Sequence, residues 1–255
     1  MLLVIDVGNT NIVMGVYDGD KLIAHWRIRT ERNTTEDEFN VLASGLFARG
    51  KMDFKQIQKT AISSVVPPMV NILDAFVRKY LGHAPHWIDA KSYPGMPILY
   101  NNPNEVGADR IVNAVAAYQR YKTELIVIDF GTATTFDVIT QKGEYLGGAI
   151  TPGIGISAEA LFARASKLPR VEIFKRPASV IGKDTIGSMQ SGIIFGYAGL
   201  VDGMVQRIRA ERQAQSKVIA TGGLAPLIQN VATTIESVEP DLTLEGLKII
   251  ADSLR

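Results

Sequence analysis

The sequence contains no cysteine. This absence excludes disulfide bonds, thiolate metal sites and cysteine nucleophiles, and it fits a reducing compartment. Histidine is also scarce: the chain has three, and no two of them have the spacing of a metal-binding motif. The formal net charge is only +1, from 27 basic and 26 acidic residues that are interspersed along the chain. The charge pattern therefore favours neither a nucleic-acid partner nor a membrane surface.

Long hydrophobic runs are missing as well. The apolar run that starts at Leu2 is short, follows no basic leader and is interrupted by Asp6, so it is not typical of a signal peptide. The apolar stretch from Gly192 to Val201 is too short to span a bilayer. At 255 residues and 46% hydrophobic composition, the chain can bury a substantial core. We therefore expect a cytoplasmic protein with one large domain or two modest ones.

The common nucleotide and nucleophile motifs are absent too. Gly182-Lys183 is followed by Asp184 and lacks the upstream glycine of a P-loop, and no G-x-S-x-G motif occurs. The stretch from Gly153 to Ala158 does match the dinucleotide fingerprint G-x-G-x-x-A. It follows a predicted antiparallel hairpin, however, and not an N-terminal βαβ unit. We interpret its glycines as sites where backbone approaches a ligand or a neighbouring strand.

The chain begins with a predicted β-hairpin. Leu2 to Val7 is an apolar, β-branched run, Gly8 to Asn11 is a turn, and Ile12 to Val16 is the returning strand. Asp6 lies where the first strand ends, and the turn beyond it offers backbone N–H groups, a hydroxyl and two amides. Such a group can hold phosphate oxygens and a cation. The alternative is that Asp6 only caps its turn.

The same pattern recurs near the middle of the chain. From Leu125 to Ile139 the order is again strand, aspartate (Asp129), an apolar residue, glycine, polar residues and a second strand. A repeat of this kind predicts a duplicated α/β unit with phosphates held between the copies. Asp6 and Asp129 are candidates to balance the charge of a cation bound beside the phosphates, and Thr132 is a candidate phosphate contact.

The remaining pattern supports two similar halves. The first half is predicted as β-β-β-α-β-α, with a capping box at Thr35 and Glu38, and the second half repeats that order. A helix from Val106 to about Tyr121 is predicted to join them, and Asp184 or Thr185 is predicted to cap a long helix. The predicted domains are residues 1–122 and residues 123–255.

A third candidate site lies at the start of the joining helix, from Glu105 to Arg110. Phosphoryl transfer needs phosphates held, a divalent ion and an acceptor hydroxyl placed in line. Asp109 is a candidate general base, and Arg110 a candidate anion-binding residue. The structural alternative is equally open: Asp109 favours the helix dipole and Arg110 is solvated.

These motifs, taken together and in order, resemble type III pantothenate kinases over nearly the full chain. The matching stretches are Asp6 to Asn11, Ser63 to Pro68, Gly107 to Arg110, Asp129 to Thr135, Gly148 to Gly153, and Thr221 to Gly223. The resemblance implies an α/β, duplicated ribonuclease-H-like (actin-like ATPase) fold, with two βββαβαβα-type halves, mixed sheets and an interdomain nucleotide cleft. It implies ATP-dependent phosphorylation of pantothenate, the first step towards coenzyme A, by a homodimer that requires Mg²⁺ and a monovalent cation (K⁺ or NH₄⁺).

The resemblance also implies roles for individual residues. Asp109 would accept the proton of the pantothenate hydroxyl, and Asp129 would ligate the monovalent cation. Thr185 would reach pantothenate near the subunit interface. The ATP phosphates would contact Asp6, Val7, Gly8, Asn9, Thr10, Asn11, Ile12, Val13 and Thr132, and pantothenate would contact Tyr100, Gly107, Ala108, Asp109, Arg110 and Thr185.

Two other functions stay open from the residues alone. The first is a non-catalytic regulator of the same fold that binds a nucleotide or a pantothenate-like ligand. The second is a kinase of another small hydroxylated acid or sugar, whose phosphate-binding residues would look the same. The presence of Asp6, Asp109 and Asp129 favours a catalyst over the regulator.

Overall fold

A computed structural model describes residues 1–173 and 176–254 of the chain. The strands are β1 (Leu2–Val7), β2 (Asn11–Asp18), β3 (Lys21–Arg29), β4 (Lys59–Ser64), β5 (His86–Trp87), β6 (Leu125–Phe130), β7 (Ala133–Ile139), β8 (Tyr145–Pro152), β9 (Lys217–Thr221) and β10 (Ser237–Val238). The helices are α1 (Glu36–Arg49), α2 (Pro67–Phe76), α3 (Ala108–Tyr121), α4 (Ile154–Arg164), α5 (Thr185–Arg212), α6 (Ala225–Gln229) and α7 (Leu242–Ser253).

The first sheet has the strand order β3-β2-β1-β4-β5. The β1–β2 and β2–β3 pairs are antiparallel, whereas β4 runs parallel to both β1 and β5. The buried strand β1 lies at the centre, as its apolar, β-branched sequence predicts. The predicted first hairpin is therefore confirmed.

The second sheet repeats this arrangement with the order β8-β7-β6-β9-β10. The pairs β6–β7 and β7–β8 are antiparallel, and the pairs β6–β9 and β9–β10 are parallel. Each sheet is thus a three-stranded meander followed by two parallel strands that return through helices. The predicted duplicated ribonuclease-H-like fold is confirmed.

One face of each sheet is covered by helices that carry an apolar stripe. In the first unit the aromatic residues Phe39, Phe47 and Phe76 pack with the inner side chains of β1 and β2. The capping box at the start of α1 is formed as predicted, because the Thr35 hydroxyl accepts from the Glu38 N–H and the Glu38 carboxylate accepts from the Thr35 N–H. In the second unit the buried side of α5 packs on Phe130, Phe136 and their neighbours.

Some element ends differ from the prediction. Helix α3 begins at Ala108 and not at Val106, since Pro103–Glu105 forms a separate 3₁₀ turn. Helix α2 continues into a π-helical turn, Val77–Leu81, which closes at Gly82 with a φ of 77°. Helix α4 begins at Ile154, directly after Gly153. Among the described residues, no helix is long and apolar enough to cross a membrane.

The chain divides into two compact units: Met1–Gln119 with Leu242–Arg255, and Arg120–Asp241. The division into domains 1–122 and 123–255 stays a prediction. Residue 255, the last of the second predicted domain, lies outside the described residues. Helix α7 belongs to the first of these compact units. Within that unit Gly246 lies against the Val112 carbonyl, and the Lys59 ammonium donates to the carbonyls of Ala251 and Leu254 at the end of α7.

Candidate functional site

The turn between β1 and β2 is held from two sides. Within the turn, the Gly8 N–H donates to the Asn11 carbonyl over 3.0 Å. From outside it, the Thr30 hydroxyl donates to the Gly8 carbonyl at 2.7 Å, and the Thr30 N–H donates to the Thr10 carbonyl at 3.0 Å. Asn9 and Thr10 are exposed at the tip. The turn thus presents polar groups to solvent on a rigid support, as phosphate binding requires.

Asp6 stands at the base of this turn, opposite Ser63 in the parallel register of β1 and β4. The buried Ser63 hydroxyl donates to the Asp6 carboxylate at 2.6 Å. The sequence alone predicts no role for Ser63. The signal in the sequence is a hydroxyl residue that follows the apolar pair Ala61-Ile62 near the end of β4, where the carboxyl ends of neighbouring parallel strands meet.

Asp109, in the first turn of α3, is close enough to Asp6 to act on its charge. The pKa of Asp6 rises to about 7 because the carboxyl is buried and because Asp109 repels its charge, against smaller opposing effects of Ser63 and Arg27. Burial also raises the pKa of Asp109. Two partly buried carboxylates at the end of β1 are a good environment for a cation or for a general base.

The backbone around Asp109 is closely packed. A Cβ at Gly107 would lie 2.5 Å from a carboxylate oxygen of Asp109, so a larger residue there would displace this carboxylate. The Asp109 carboxylate accepts from the Arg110 N–H at 2.8 Å. The Arg110 side chain is buried, with 7% exposure, which excludes the solvated alternative for this arginine.

A cavity of about 370 Å³ adjoins the start of α3 in the first unit. Of the residues predicted to bind substrate, Gly107 and Ala108 line it, whereas Tyr100, Asp109 and Arg110 are not among its lining residues. The other lining residues are Ser64, Val65, Ile88, Asp89, Ala90, Asn104, Glu105 and Val106. The cavity is large enough for a small polar metabolite.

In the second unit, Asp129 occupies the position on β6 that Asp6 has on β1. It pairs with Thr135 on β7 and with Thr221 on β9, just as Asp6 pairs with Val13 and Ser63. Gly222 has a φ of 91°, and a Cβ there would lie 2.6 Å from the Asp129 carboxylate. A side chain at position 222 would therefore clash with the Asp129 carboxylate and with the Phe130 backbone.

Thr132 is exposed at the β6–β7 turn, and its carbonyl accepts from the Gly153 N–H at 3.1 Å. A Cβ at Gly153 would lie 2.2 Å from that carbonyl oxygen. The interpretation of the G-x-G-x-x-A stretch as a close backbone approach is confirmed at Gly153. It does not hold at Gly155, where an added Cβ would meet no atom within 4 Å.

Thr185 is the first residue of α5 and is exposed. Asp184 caps this helix, as predicted, by accepting from the Gly187 N–H at 2.7 Å. Thr185 lines a second cavity, of about 570 Å³, together with Leu168, Gly182, Lys183, Asp184, Ser188 and Met189. Asp129 and Thr132 are not among the residues that line this cavity.

Among residues 1–173 and 176–254, no group of three or more histidine, aspartate or glutamate side chains is arranged to hold a metal. The Asp6–Asp109 pair nevertheless fits a divalent ion. Mg²⁺ is usually held in kinases by one or two carboxylates together with substrate phosphates and water. A bound cation would also relieve the repulsion that raises the pKa of Asp6.

Two units, each with a three-stranded meander, two parallel strands and an aspartate at its first hairpin, define the actin-like ATPase and sugar kinase fold. The solved structure of an inorganic polyphosphate/ATP-glucomannokinase from Arthrobacter sp. strain KM shares this fold. Its TM-score is 0.52 at 16% identity, over 100% of this chain and 99% of that one.

The family model of type III pantothenate kinase matches residues 2–207. A type III pantothenate kinase of Desulfatibacillum aliphaticivorans is 69% identical over 252 residues, which are 99% of this chain and 98% of that protein. One of Geobacter sulfurreducens is 55% identical over 255 residues, and the match covers all of both chains. The chain belongs to the type III pantothenate kinase family, so the resemblance is confirmed.

Proposed function

We propose that the protein transfers the γ-phosphoryl group of ATP to the hydroxyl of pantothenate, giving 4'-phosphopantothenate in the first step of coenzyme A biosynthesis. In a member of this family, the observation that carries the proposal is the closeness of Asp6 and Asp109. These two carboxylates lie at the end of β1 and at the start of α3, and a cavity of metabolite size adjoins α3. Phosphoryl transfer requires this combination of charge compensation, a base and a substrate cavity.

Asp109 is the proposed general base. Burial raises the pKa of its carboxyl above the ordinary value, which improves its ability to accept a proton from an alcohol near neutral pH. Gly107, Ala108 and the buried Arg110 belong to the same turn and are the proposed pantothenate contacts, together with Tyr100 and Thr185.

The proposed phosphate contacts are the turn from Asp6 to Val13 in the first unit and Thr132 in the second. The turn offers exposed Asn9 and Thr10 and a backbone held by Thr30. Mg²⁺ is the proposed divalent ion, and when bound it offsets the charge of the ATP phosphates. Asp129 is the proposed ligand of a monovalent cation, K⁺ or NH₄⁺, and Gly222 leaves the space beside its carboxylate free of a side chain.

The proposal includes a cytoplasmic homodimer with no nucleic-acid or membrane partner. Support for the dimer comes from large apolar side chains that are exposed in the second unit: Ile150, Ile156, Phe162, Val180, Ile181 and Ile186. Ile186 directly follows Thr185, the proposed substrate contact near the subunit interface. Val180 and Ile181 also lie within five residues of Thr185 in the sequence, and contiguous exposed apolar surface marks association sites. We expect Ile181→Asp, at a side chain that is 79% exposed, to shift the protein to monomer in sedimentation velocity.

The test is ADP release by the purified protein with Mg²⁺, ATP and pantothenate, in K⁺ and again in Na⁺. The proposal expects turnover that needs pantothenate and is faster in K⁺. Turnover with another hydroxy acid or with a sugar, but not with pantothenate, would make the protein a kinase of a different substrate. A folded protein that binds nucleotide or pantothenate without any turnover would instead be the non-catalytic regulator.

A further inference from the structure

We propose that Arg27, on the edge strand β3, binds the β- and γ-phosphate oxygens of ATP. The inference rests on the proposed function, because it takes the β1–β2 turn as the phosphate site. It adds a cationic contact from a strand to which no ligand role has been given.

Strand register places Arg27 beside the site. Asp6 pairs with Val13 on β2, and Val13 pairs with Arg27 on β3. Paired residues on adjacent strands project to the same face, and adjacent strands are about 4.8 Å apart, so the Cα atoms of Asp6 and Arg27 are roughly 10 Å apart. The opposite face of β3 carries Trp26 and Ile28, which pack on the core of the unit. Arg27 is therefore on the face of Asp6 and not on the core face.

The charge of Arg27 reaches Asp6 and is not neutralised by a neighbour. Its positive charge lowers the pKa of Asp6 in opposition to the effects of burial and Asp109. Arg27 is exposed, and among the described residues no carboxylate forms an ion pair with it. By contrast, Arg29 lies 3.9 Å from Glu31, and Arg32 donates to Asn9 at 2.9 Å. Arg27 is thus a cation with an unused planar set of donors beside the phosphate turn, suited to phosphate oxygens.

The duplicated fold provides an internal comparison. In the second sheet Asp129 pairs with Thr135, and Thr135 pairs with Ile150, so Ile150 is the counterpart of Arg27. The two halves share the aspartate, but only the first half has an arginine at this position. Because the same fold forms with isoleucine at this position, the arginine is not needed for the sheet. Its charge instead distinguishes the half that carries the Asp6–Asp109 pair.

The test compares Arg27→Gln with Arg49→Gln, which removes the same charge from the exposed last turn of α1 in the same unit. Affinity is measured for the nonhydrolysable analogue adenylyl imidodiphosphate with Mg²⁺, and for AMP. Hydrogen bonds to charged groups contribute about 1.5–3 kcal/mol. We therefore expect Arg27→Gln to raise the Kd for the analogue roughly 10- to 100-fold. AMP affinity is expected to change less than about twofold, since AMP lacks the β- and γ-phosphates. Arg27→Lys keeps the charge but loses the planar donor set. Its affinity for the analogue is expected to lie between those of the wild type and Arg27→Gln.

The proposal is overturned if Arg27→Gln and Arg49→Gln bind the analogue with the same affinity. It is also overturned if Arg27→Gln weakens the binding of AMP as much as the binding of the analogue. It is also overturned if the variant raises the KM for pantothenate and leaves the KM for ATP unchanged. These outcomes are distinct from failure of the proposed function. If the wild-type protein binds the analogue through Arg27 but does not phosphorylate pantothenate, the assignment of pantothenate as the substrate is wrong. The phosphate contact of Arg27 would still be supported.

Discussion

Asp6→Asn is expected to stabilise the metal-free protein at alkaline pH while removing its activity. Burial and the charge of Asp109 raise the pKa of Asp6 from 3.8 to about 7. The folded state therefore keeps a proton that the unfolded state releases, and stability falls as pH rises from about 4 to about 7. One pKa unit is worth about 1.36 kcal/mol. A pKa difference of roughly three units therefore lowers the free energy of unfolding by up to about 4 kcal/mol at pH 8. Asparagine has the same shape and no charge, and it can still accept from Ser63.

Thermal unfolding in EDTA, without nucleotide, measures this effect between pH 4.5 and pH 8.5. A change of 1 kcal/mol shifts the Tm of a protein of this size by about 2–4 °C, so the variant is expected to exceed wild type by several degrees at pH 8. The difference is expected to shrink towards pH 4.5. Asp18→Asn, at the exposed end of the same hairpin, is the matched control. Parallel Tm profiles for wild type and Asp6→Asn would refute the assignment of a buried, repelled carboxylate.

Three further predictions concern the other aspartates and the last helix. Asp109→Asn is expected to keep the fold and lower kcat by about 10²- to 10⁴-fold, as loss of a general base does; unchanged kcat in the ADP-release assay would contradict that role. Asp129→Ala is expected to abolish both K⁺ activation and most activity, and K⁺ activation that persists in the variant would argue against the cation ligand. Gly246→Ala, whose Cβ would lie 2.0 Å from the Val112 carbonyl oxygen, is expected to cost about 2–3 kcal/mol in denaturant unfolding. Gly45→Ala, in α1 with nothing within 4 Å, is expected instead to gain about 0.5–1 kcal/mol, and equal effects of the two variants would disprove the close packing of α7.

The features that were predicted correctly are those encoded locally. Asp6 and Asp129 could be placed at hairpin turns because short apolar runs and turn residues report on neighbouring positions. The capping box at Thr35 and the N-cap at Asp184 likewise depend on residues three positions apart. The repeat of one local pattern was enough to predict a duplicated fold, since each copy specifies its own strand order.

The features that were missed depend on contacts distant in sequence. Helix α7 closes the chain in sequence but packs in the first unit, where Gly246 fits against Val112. The sequence leaves Arg110 open between a solvated and an anion-binding residue, and only its packing in the fold shows that it is buried. Ser63 bonds to a carboxylate 57 positions away, a contact that exists only because β4 lies parallel to β1.

The sequence by itself determined the strands, turns and helix caps, the duplication and, through the combination of motifs, the family. Tertiary structure decided which of the candidate groups act on one another. The charge of Asp109 reaches Asp6, and so does that of Arg27, because strand pairing and the position of α3 bring them to one face of the sheet. Electrostatic effects depend on distance and burial in space, and neither quantity is written in the local order of residues.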